Sequence, residues 1–285
     1  MPKSLTIVIP AKNEADGLSK LLPSLVVMFP DAQIVVVNDG STDNTEKVAL
    51  SHKVEVVNSP YSMGNGAAIK RGARAARGST IVFMDGDGQH DPEDIPKLLN
   101  ELKKGFDMVV GARQAGSQAS FGRGVANGFY NKLASLMAGH RIDDLTSGFR
   151  AVRTDKFREF LYLLPNGFSY PTTSTMAFFR AGYGVSYVPI HAAERIGKSH
   201  IKPLKDGVRF LMIIFKIGTL YSPLKLFVPF AATMFFMASA WYGYTYSSTG
   251  KFTNMSALLY TGSVMVFLMG LISEQITALM YKDRE

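Results

Sequence analysis

Two kinds of hydrophobic pattern follow one another along this chain of 285 residues. Up to about Pro189, short apolar runs alternate with amphipathic stretches of helical period, a pattern typical of a mostly parallel sheet covered by helices. The apolar runs predict strands at residues 5–9, 33–38, 54–58, 80–84 and 108–112. The amphipathic stretches predict helices at residues 14–27, 42–51, 65–76, 92–103 and 122–138. We therefore expect an α/β domain over residues 1–200.

Beyond this domain lie two long apolar stretches, at residues 224–246 and 256–280. Each is long enough to cross the roughly 30 Å hydrocarbon core of a bilayer, which favours a two-helix membrane anchor over residues 224–285. A buried hairpin of core helices is the alternative. Glu274 interrupts the second stretch, where it is predicted to lie near the interface or to contact a neighbouring helix.

Basic residues predict how this anchor is oriented. The connection between the two apolar stretches holds only Lys251, whereas several lysines and arginines precede the first stretch and follow the second. By the positive-inside bias, both chain ends and the α/β domain are expected on the cytoplasmic side. Residues 201–223 mix basic and large apolar side chains, so we predict an amphipathic interfacial segment that contacts membrane lipids.

Composition limits the chemistry. The formal charge of +8 suits a phosphorylated substrate or an anionic membrane. The basic residues show no interleaved aromatic pattern, so nucleic acid is not expected as a partner. The sequence has no cysteine, which excludes disulfides, thiolate zinc sites and cysteine nucleophiles. No secretory signal is recognisable, because the first residues run straight into a strand pattern.

Polar residues follow the first two predicted strands. One strand ends in Pro-Ala-Lys-Asn-Glu, from Pro10 to Glu14, and the next ends in Asn-Asp-Gly-Ser around Asp39. Because ligands bind at the carboxyl ends of parallel strands, both segments are expected to face one crevice, with Asp39 placed to accept hydrogen bonds from a base. Taken singly, each segment would also suit a helix-capping turn.

Small residues mark the start of the predicted helix at 65–76. The segment from Met63 to Ala68 contains two glycines and two alanines, which would let backbone amides approach a phosphate. The pattern lacks the three spaced glycines of a dinucleotide-binding fingerprint, so a Rossmann cofactor is not expected.

The segment Asp-Gly-Asp-Gly-Gln at Asp85–Gln89 follows an apolar strand and carries the strongest chemical signal. Alternating carboxylates on a sharp turn, with an amide two residues on, supply hard oxygen ligands for Mg²⁺ or Mn²⁺. Such an ion could stabilise a diphosphate leaving group. A calcium-binding EF-hand is not expected, since Pro96 occupies the position of its closing glutamate.

These segments occur in a fixed order together with Asp-Leu-Thr-Ser-Gly-Phe-Arg at residues 144–150 and Arg-Ile-Gly-Lys-Ser at residues 195–199. In this order they resemble the family 2 glycosyltransferases of GT-A fold, most closely the branch of dolichyl-phosphate mannose synthases and polyprenyl-phosphate glycosyltransferases. The resemblance covers residues 5–223, and the two trailing apolar stretches are similar to those of bacterial members. It implies a nucleotide-sugar donor and a polyprenyl phosphate acceptor, either undecaprenyl or dolichyl phosphate.

The resemblance also implies roles for individual residues. The nucleoside would be held by Pro10, Lys12, Glu14 and Asp39. The metal ion and diphosphate would be held by Asp85, Gly86, Asp87 and Gln89, with Asp85, Asp87 and Gln89 as metal ligands. The acceptor phosphate would be held by Arg113, Arg123 and Asn127. The donor diphosphate would be covered by Arg195 and Lys198 in a loop. Asp144 would lie near the sugar.

A general base is not obviously required for such a transfer. The second pKa of a phosphate monoester is near 6, so the attacking phosphate is already largely dianionic at neutral pH. Asp144 is therefore expected to orient the acceptor or the sugar, with capping of its own turn as an equal alternative. We expect a single in-line displacement that inverts the anomeric configuration.

Two other functions compete with this reading. A processive polysaccharide synthase would share the domain and the membrane setting, but such enzymes carry Gln-x-x-Arg-Trp, and the only tryptophan here, Trp241, lies in an apolar stretch. A non-catalytic membrane-tethered module that binds nucleotide-sugars is the second. Neither the donor sugar nor the oligomeric state is determined by the sequence, and a homo-oligomer is one option.

Overall fold

The computed structural model describes residues 4–113, 121–167, 169–191, 215 and 218–282. By its contacts the chain divides into two compact units, Met1–Ile201 and Lys202–Glu285. The structure describes the backbone but not the side chains of residues 121–127, 129 and 281–282.

The first unit alternates strands and helices. Its elements are β1 (Leu5–Ala11), α1 (Ala15–Met28), β2 (Gln33–Asn38), α2 (Thr45–Ser51), β3 (Glu55–Asn58), α3 (Asn65–Ala75), β4 (Thr80–Phe83), a 3₁₀ turn (Pro92–Asp94), α4 (Ile95–Leu102), β5 (Met108–Arg113), α5 (Phe121–Ala138), β6 (Arg150–Arg153), α6 (Thr154–Glu159), α7 (Tyr170–Arg180) and β7 (Val185–Ile190). The five predicted strands are present, each with ends within two residues of the prediction.

The strands form one sheet in the order β3-β2-β1-β4-β6-β5-β7. β6 runs antiparallel to both of its neighbours, and the other pairings are parallel. The prediction of a mostly parallel α/β sheet is therefore confirmed.

Helices cover both faces of this sheet, which explains why its central strands are mostly apolar on both faces. In β1, Ile7 and Ile9 belong to the cluster that includes the buried leucines of α1 and α4. Val8 points the opposite way, because alternate side chains of a strand face opposite sides. On that side a Cβ atom on Gly72 of α3 would lie 2.2 Å from Val8 Cγ1, so α3 packs directly onto the sheet.

The second unit contains an antiparallel helical hairpin, α8 (Pro223–Thr249) and α9 (Asn254–Lys282). Both helices are long and apolar enough to span a membrane, and only 11% and 17% of their most apolar stretches are buried. The helices of a protein core are mostly buried, so the alternative of a core hairpin is not supported. Contacts between the helices are close, with the Ser263 hydroxyl donating to the Ala231 carbonyl at 2.8 Å.

Glu274 of α9 lies beside the first turn of α8. Its Oε2 accepts a hydrogen bond from the Leu224 backbone N–H at 3.4 Å. The first amides of a helix have no acceptor within the helix, so a carboxylate from the neighbouring helix satisfies one of them. This contact accounts for a charged residue within an apolar helix.

Replacing Glu274 with leucine is expected to destabilise the hairpin by about 0.6–2 kcal/mol, the range for hydrogen bonds between membrane helices. The measurement is thermal unfolding of the purified protein in detergent. Gln275→Leu, at an exposed position next to it, is the matched control and should leave the unfolding temperature unchanged. Equal unfolding temperatures for the two variants would contradict a structural role for the contact.

Candidate active site

The predicted site residues that are described lie where the parallel strands end. Ala11 at the end of β1 is the register partner of Asn38 at the end of β2. Phe83 at the end of β4 pairs with Arg150 at the start of the antiparallel strand β6. β5 ends at Arg113. The segments that follow these strands therefore meet at one edge of the sheet.

Asn13 joins the ends of β1 and β2. Its φ of +56° lies in the left-handed region, which asparagine adopts more readily than most residues. Its side-chain oxygen accepts hydrogen bonds from the Thr42 N–H at 2.8 Å and the Thr42 hydroxyl at 3.3 Å, and its own N–H donates to Ser41 Oγ at 3.0 Å.

Three residues near Asn13 that are predicted to hold the nucleoside differ in exposure: Pro10 is buried, Glu14 is half-buried and Lys12 is exposed.

Asp39 is 3% exposed and orders the turn before α3. Its carboxylate accepts hydrogen bonds from the Ser62 hydroxyl at 2.8 Å, the Met63 N–H at 2.8 Å and the Gly64 N–H at 2.9 Å. A carboxylate has about four lone-pair positions. Three donors from the turn therefore leave room for one more, and reading of a base by Asp39 stays a prediction.

The start of α3 does not have the free amides that its small residues suggested. The Gly66 N–H donates to the Gly167 carbonyl at 3.1 Å, and the Ala67 N–H donates to the Asn166 carbonyl at 2.9 Å. A Cβ atom on Gly66 would lie 1.9 Å from the Pro165 carbonyl oxygen. The prediction of a phosphate cradle here is therefore wrong, because the small residues admit a protein loop instead.

The Asp-Gly-Asp-Gly-Gln segment forms a turn stabilised by His90. The Asp85 N–H donates to His90 Nδ1 at 3.3 Å, and the Gln89 N–H donates to Asp87 Oδ1 at 3.2 Å. The imidazole stacks on Phe149 with ring centroids 4.9 Å apart. Burial lowers the pKa of His90 to about 4, against the opposing charge of Asp87. His90 is thus neutral at physiological pH and acts as an acceptor within the turn.

The oxygen donors of this turn fit a divalent cation that also binds substrate. Among the described residues, no three His, Asp or Glu side chains group closely enough to hold a metal ion by themselves. Asp85, Asp87 and Gln89 supply two carboxylates and one amide. Mg²⁺ is commonly bound by one or two carboxylates, with waters and substrate phosphates completing its shell. The donor set is suited to a metal–diphosphate complex.

Arg113 and Asp144 form an ion pair with two hydrogen bonds. Arg113 Nε donates to Asp144 Oδ2 at 2.8 Å, and a terminal nitrogen donates to Oδ1 at 3.0 Å. Asp144 also accepts from the backbone N–H groups of Arg113, Thr146 and Ser147 at 3.0–3.2 Å. The Asp144 carboxylate therefore caps its own turn and fixes the Arg113 guanidinium at the end of β5.

The ion pair determines the protonation of Asp144. Burial raises the pKa of Asp144, but the hydrogen bonds and the positive charge of Arg113 outweigh burial, so the pKa lies below its usual value. A carboxylate with a lowered pKa that accepts six hydrogen bonds, one of them from the Thr146 hydroxyl, is a weak general base. This agrees with a reaction whose nucleophile arrives already ionised.

Arg150 is a buried residue that the sequence reasoning did not assign to the site. It is 0% exposed and donates to the Pro171 carbonyl at 3.0 Å, to Ser174 Oγ at 2.8 Å and to the Ser147 carbonyl. It therefore anchors the turn that follows Asp144 to α7. Its position at the end of the Asp-Leu-Thr-Ser-Gly-Phe-Arg segment was the available signal, and only the fold shows that its side chain is buried.

Four predicted site residues lie wholly or partly outside the described residues. Arg123 and Asn127 belong to α5, of which the backbone alone is described at these positions. Arg195 and Lys198 lie outside the described residues.

The mostly parallel sheet, the acidic turn at Asp85–Gln89 and the apolar hairpin agree with the class that the motifs resemble, a GT-A glycosyltransferase domain followed by two candidate membrane spans. The model of Glycosyl transferase family 2 matches residues 6–161, and that of the GtrB C-terminal hairpin matches residues 222–279. The chain belongs to glycosyltransferase family 2, which confirms the resemblance found in its motifs.

Among its relatives is an undecaprenyl-phosphate 4-deoxy-4-formamido-L-arabinose transferase of Pseudomonas fluorescens, 30% identical over 98% of this chain and 86% of the relative. A dolichol-phosphate mannosyltransferase of Pyrococcus furiosus is 34% identical over 58% of this chain and 50% of the relative.

A solved structure with the same fold is glucosyl-3-phosphoglycerate synthase of Mycobacterium tuberculosis, in complex with Mn²⁺, uridine diphosphate and phosphoglyceric acid. Its TM-score is 0.60 at 21% identity, over 75% of this chain and 77% of the other. At this identity the likeness concerns the fold alone, and it supports the predicted GT-A architecture of the first unit.

Proposed function

We propose that this protein transfers a sugar from a nucleotide-sugar to a polyprenyl phosphate, with inversion at the anomeric carbon. The observation that carries the proposal is the acidic turn at the end of β4, which lies at the same sheet edge as the Arg113–Asp144 ion pair. The acidic turn would supply ligands for a metal-bound diphosphate. The ion pair would supply Arg113 as a fixed cation for a second phosphate. Relatives that act on undecaprenyl phosphate and dolichol phosphate support the acceptor class.

In the proposed reaction, an oxygen of the lipid phosphate attacks the anomeric carbon while the bond from that carbon to the nucleoside diphosphate breaks. The electron pair of that bond leaves with the diphosphate. A divalent cation held by Asp85, Asp87 and Gln89 would supply Lewis-acid stabilisation of the leaving group. Arg113 would orient the acceptor phosphate and offset the repulsion between two anions, for which Asp144 holds it in place. Asp39 and the segment from Pro10 to Glu14 would hold the nucleoside.

Inversion follows from a single displacement. Retention by two successive displacements would require a protein nucleophile to form a covalent intermediate first. Asp144, the carboxylate that the family resemblance brings near the sugar, is already engaged by Arg113 and by three backbone N–H groups. It is therefore poorly suited to attack carbon.

The test is transfer by the purified full chain in detergent, with undecaprenyl phosphate, Mg²⁺ or Mn²⁺ and a panel of UDP- and GDP-sugars. We expect one donor to yield a glycolipid detectable by mass spectrometry, chelation of the metal to stop transfer, and nuclear magnetic resonance to report an inverted anomeric centre. Retained configuration would exclude the single displacement. Binding of nucleotide without transfer from any donor would favour the non-catalytic module.

We propose further that the first unit and both chain ends face the cytoplasm. The excess of basic residues next to the outer ends of the hairpin supports this orientation. The natural chain has no cysteine, so a single cysteine introduced at Lys251 reports the position of the connection between α8 and α9. Labelling of Lys251→Cys in intact cells by a membrane-impermeant maleimide is expected, and protection from it would overturn the orientation.

A further inference from the structure

Two glycines from different parts of the fold contact the acidic turn of Asp85–Gln89. Gly17 lies in the first turns of α1, and a Cβ atom there would lie 2.1 Å from the Gly86 carbonyl oxygen and 3.2 Å from Asp87 Cα. Cβ atoms in proteins essentially never approach a heavy atom of a non-neighbouring residue within 3.0 Å. Any other residue at position 17 would therefore displace the backbone between the two aspartates.

Gly148, which precedes β6, contacts the same turn at the Asp85 side chain. A Cβ atom on Gly148 would lie 2.8 Å from Asp85 Oδ2 and 3.3 Å from Asp85 Oδ1. The Asp85 carboxylate thus rests against the Gly148 backbone. A methyl group at this position would rotate or push away a proposed metal ligand.

Packing around both glycines opposes a shift of their backbone away from the turn. Gly17 is adjacent to Leu18, whose side chain is 0% exposed in the core between α1 and the sheet. The Gly148 carbonyl accepts a hydrogen bond from the Tyr170 hydroxyl at 3.0 Å, and Arg150 donates to the preceding Ser147 carbonyl. Tyr170 and Arg150 are both buried. Both contacts on the turn are therefore supported by rigid surroundings.

We propose that Gly17 and Gly148 are positioning residues that set the spacing and direction of the Asp85 and Asp87 carboxylates. The inference rests on the proposed function of this turn as a divalent-cation site. Residues that orient metal ligands typically change metal affinity by about 10–100-fold when they are replaced. Neither glycine would contact the metal or the substrate itself.

The experiment compares Gly17→Ala and Gly148→Ala with Gly72→Ala as a steric control. In Gly72→Ala the new Cβ would meet Val8 Cγ1 at 2.2 Å, in the interface between α3 and the sheet. This variant creates a comparable overlap away from the acidic turn. Mn²⁺ affinity is measured by electron paramagnetic resonance on the full-length protein in detergent. The Asp87→Ala variant gives the level of Mn²⁺ binding outside the acidic turn. The unfolding temperature of each variant is measured in parallel.

We expect Gly17→Ala and Gly148→Ala to bind Mn²⁺ about tenfold or more weakly than the natural protein. Gly72→Ala is expected to lose stability but to keep its Mn²⁺ affinity. Natural affinity in both folded site variants, or an equal loss in Gly72→Ala, would overturn the inference. If Gly17→Ala does not fold, Gly148→Ala decides the question, because its overlap is with a side chain. Failure of the natural protein itself to bind Mn²⁺ would instead contradict the proposed metal site.

Discussion

Replacing Asp87 with alanine is expected to lower kcat/KM for sugar transfer about 1,000-fold without unfolding the protein. Asp87 is 7% exposed and supplies one of the two carboxylates of the acidic turn. Metal ions contribute several kcal/mol to stabilisation of a charged transition state, and each 1.4 kcal/mol or so corresponds to a tenfold change in rate. The measurement is the initial rate of glycolipid formation at saturating metal concentration.

Asp155→Ala is the matched control for this variant. Asp155 is exposed in the first turn of α6. Because β6 is antiparallel, its last residue pairs with Thr80 at the start of β4, so α6 begins at the sheet edge opposite the acidic turn. Asp155→Ala should transfer sugar at the natural rate. An Asp87→Ala variant with natural kcat/KM would show that the turn does not take part in the reaction.

Replacing Asp144 with asparagine is expected to lower kcat/KM about 100-fold, the effect of misplacing a group that orients substrate. The change removes the charge that holds Arg113 and places an amide N–H₂ among hydrogen-bond donors. Hydrogen bonds to charged groups contribute about 1.5–3 kcal/mol, so the free energy of unfolding should fall by an amount in this range. Transfer assays and denaturant unfolding in detergent measure the two effects.

The loss of stability should depend on pH. The pKa of Asp144 is lower in the folded protein than its usual value, so its ionised form stabilises the fold. This contribution is complete above the usual carboxyl pKa of about 3.9 and disappears as the pH falls through the lowered pKa. We therefore expect the difference between the natural protein and Asp144→Asn to be constant near neutral pH and to shrink below about pH 4.

Asp143→Asn tests whether these effects belong to the buried pair. Asp143 accepts from Arg141 Nε at 2.7 Å, but the two side chains are 39% and 89% exposed. Exposed ion pairs contribute about 0–1 kcal/mol, so this variant should retain its activity and nearly all of its stability. Similar losses in Asp143→Asn and Asp144→Asn would contradict a specific role for the Arg113–Asp144 pair.

The predicted elements were those with a strong periodic signal. The five strands up to Met108–Arg113 are apolar runs between helices, and all five are present. β6 and β7 were not predicted separately. β6 has four residues and contains arginines at both ends, and β7 carries Ser186 and Pro189 within its six residues. Their strand conformation is set by pairing with β5 and β4 rather than by their own hydrophobic pattern.

Part of the candidate site could also be predicted from local sequence patterns. Asp39, Asp85 and Asp87 follow strands of a parallel sheet, and the rule that ligands bind at strand ends was sufficient to bring them together. The small residues before α3 were misread, because the same composition suits a phosphate and a closely packed loop. Only the carbonyl groups of Asn166 and Gly167, about one hundred residues further along the chain, distinguish these cases.

The sequence by itself determined the mostly parallel α/β class, the family, the acidic turn and the apolar hairpin, because each depends on short local segments or on the order of such segments along the chain. The tertiary structure decided the pairing of Arg113 with Asp144, the burial of Arg150 and the contacts of Gly17 and Gly148 with the acidic turn. These features join segments far apart in sequence, and the residues next to a glycine or an arginine do not indicate which distant atoms it will contact in the fold. Their physical basis is steric exclusion and desolvation, which exist only once the strands and helices are packed together.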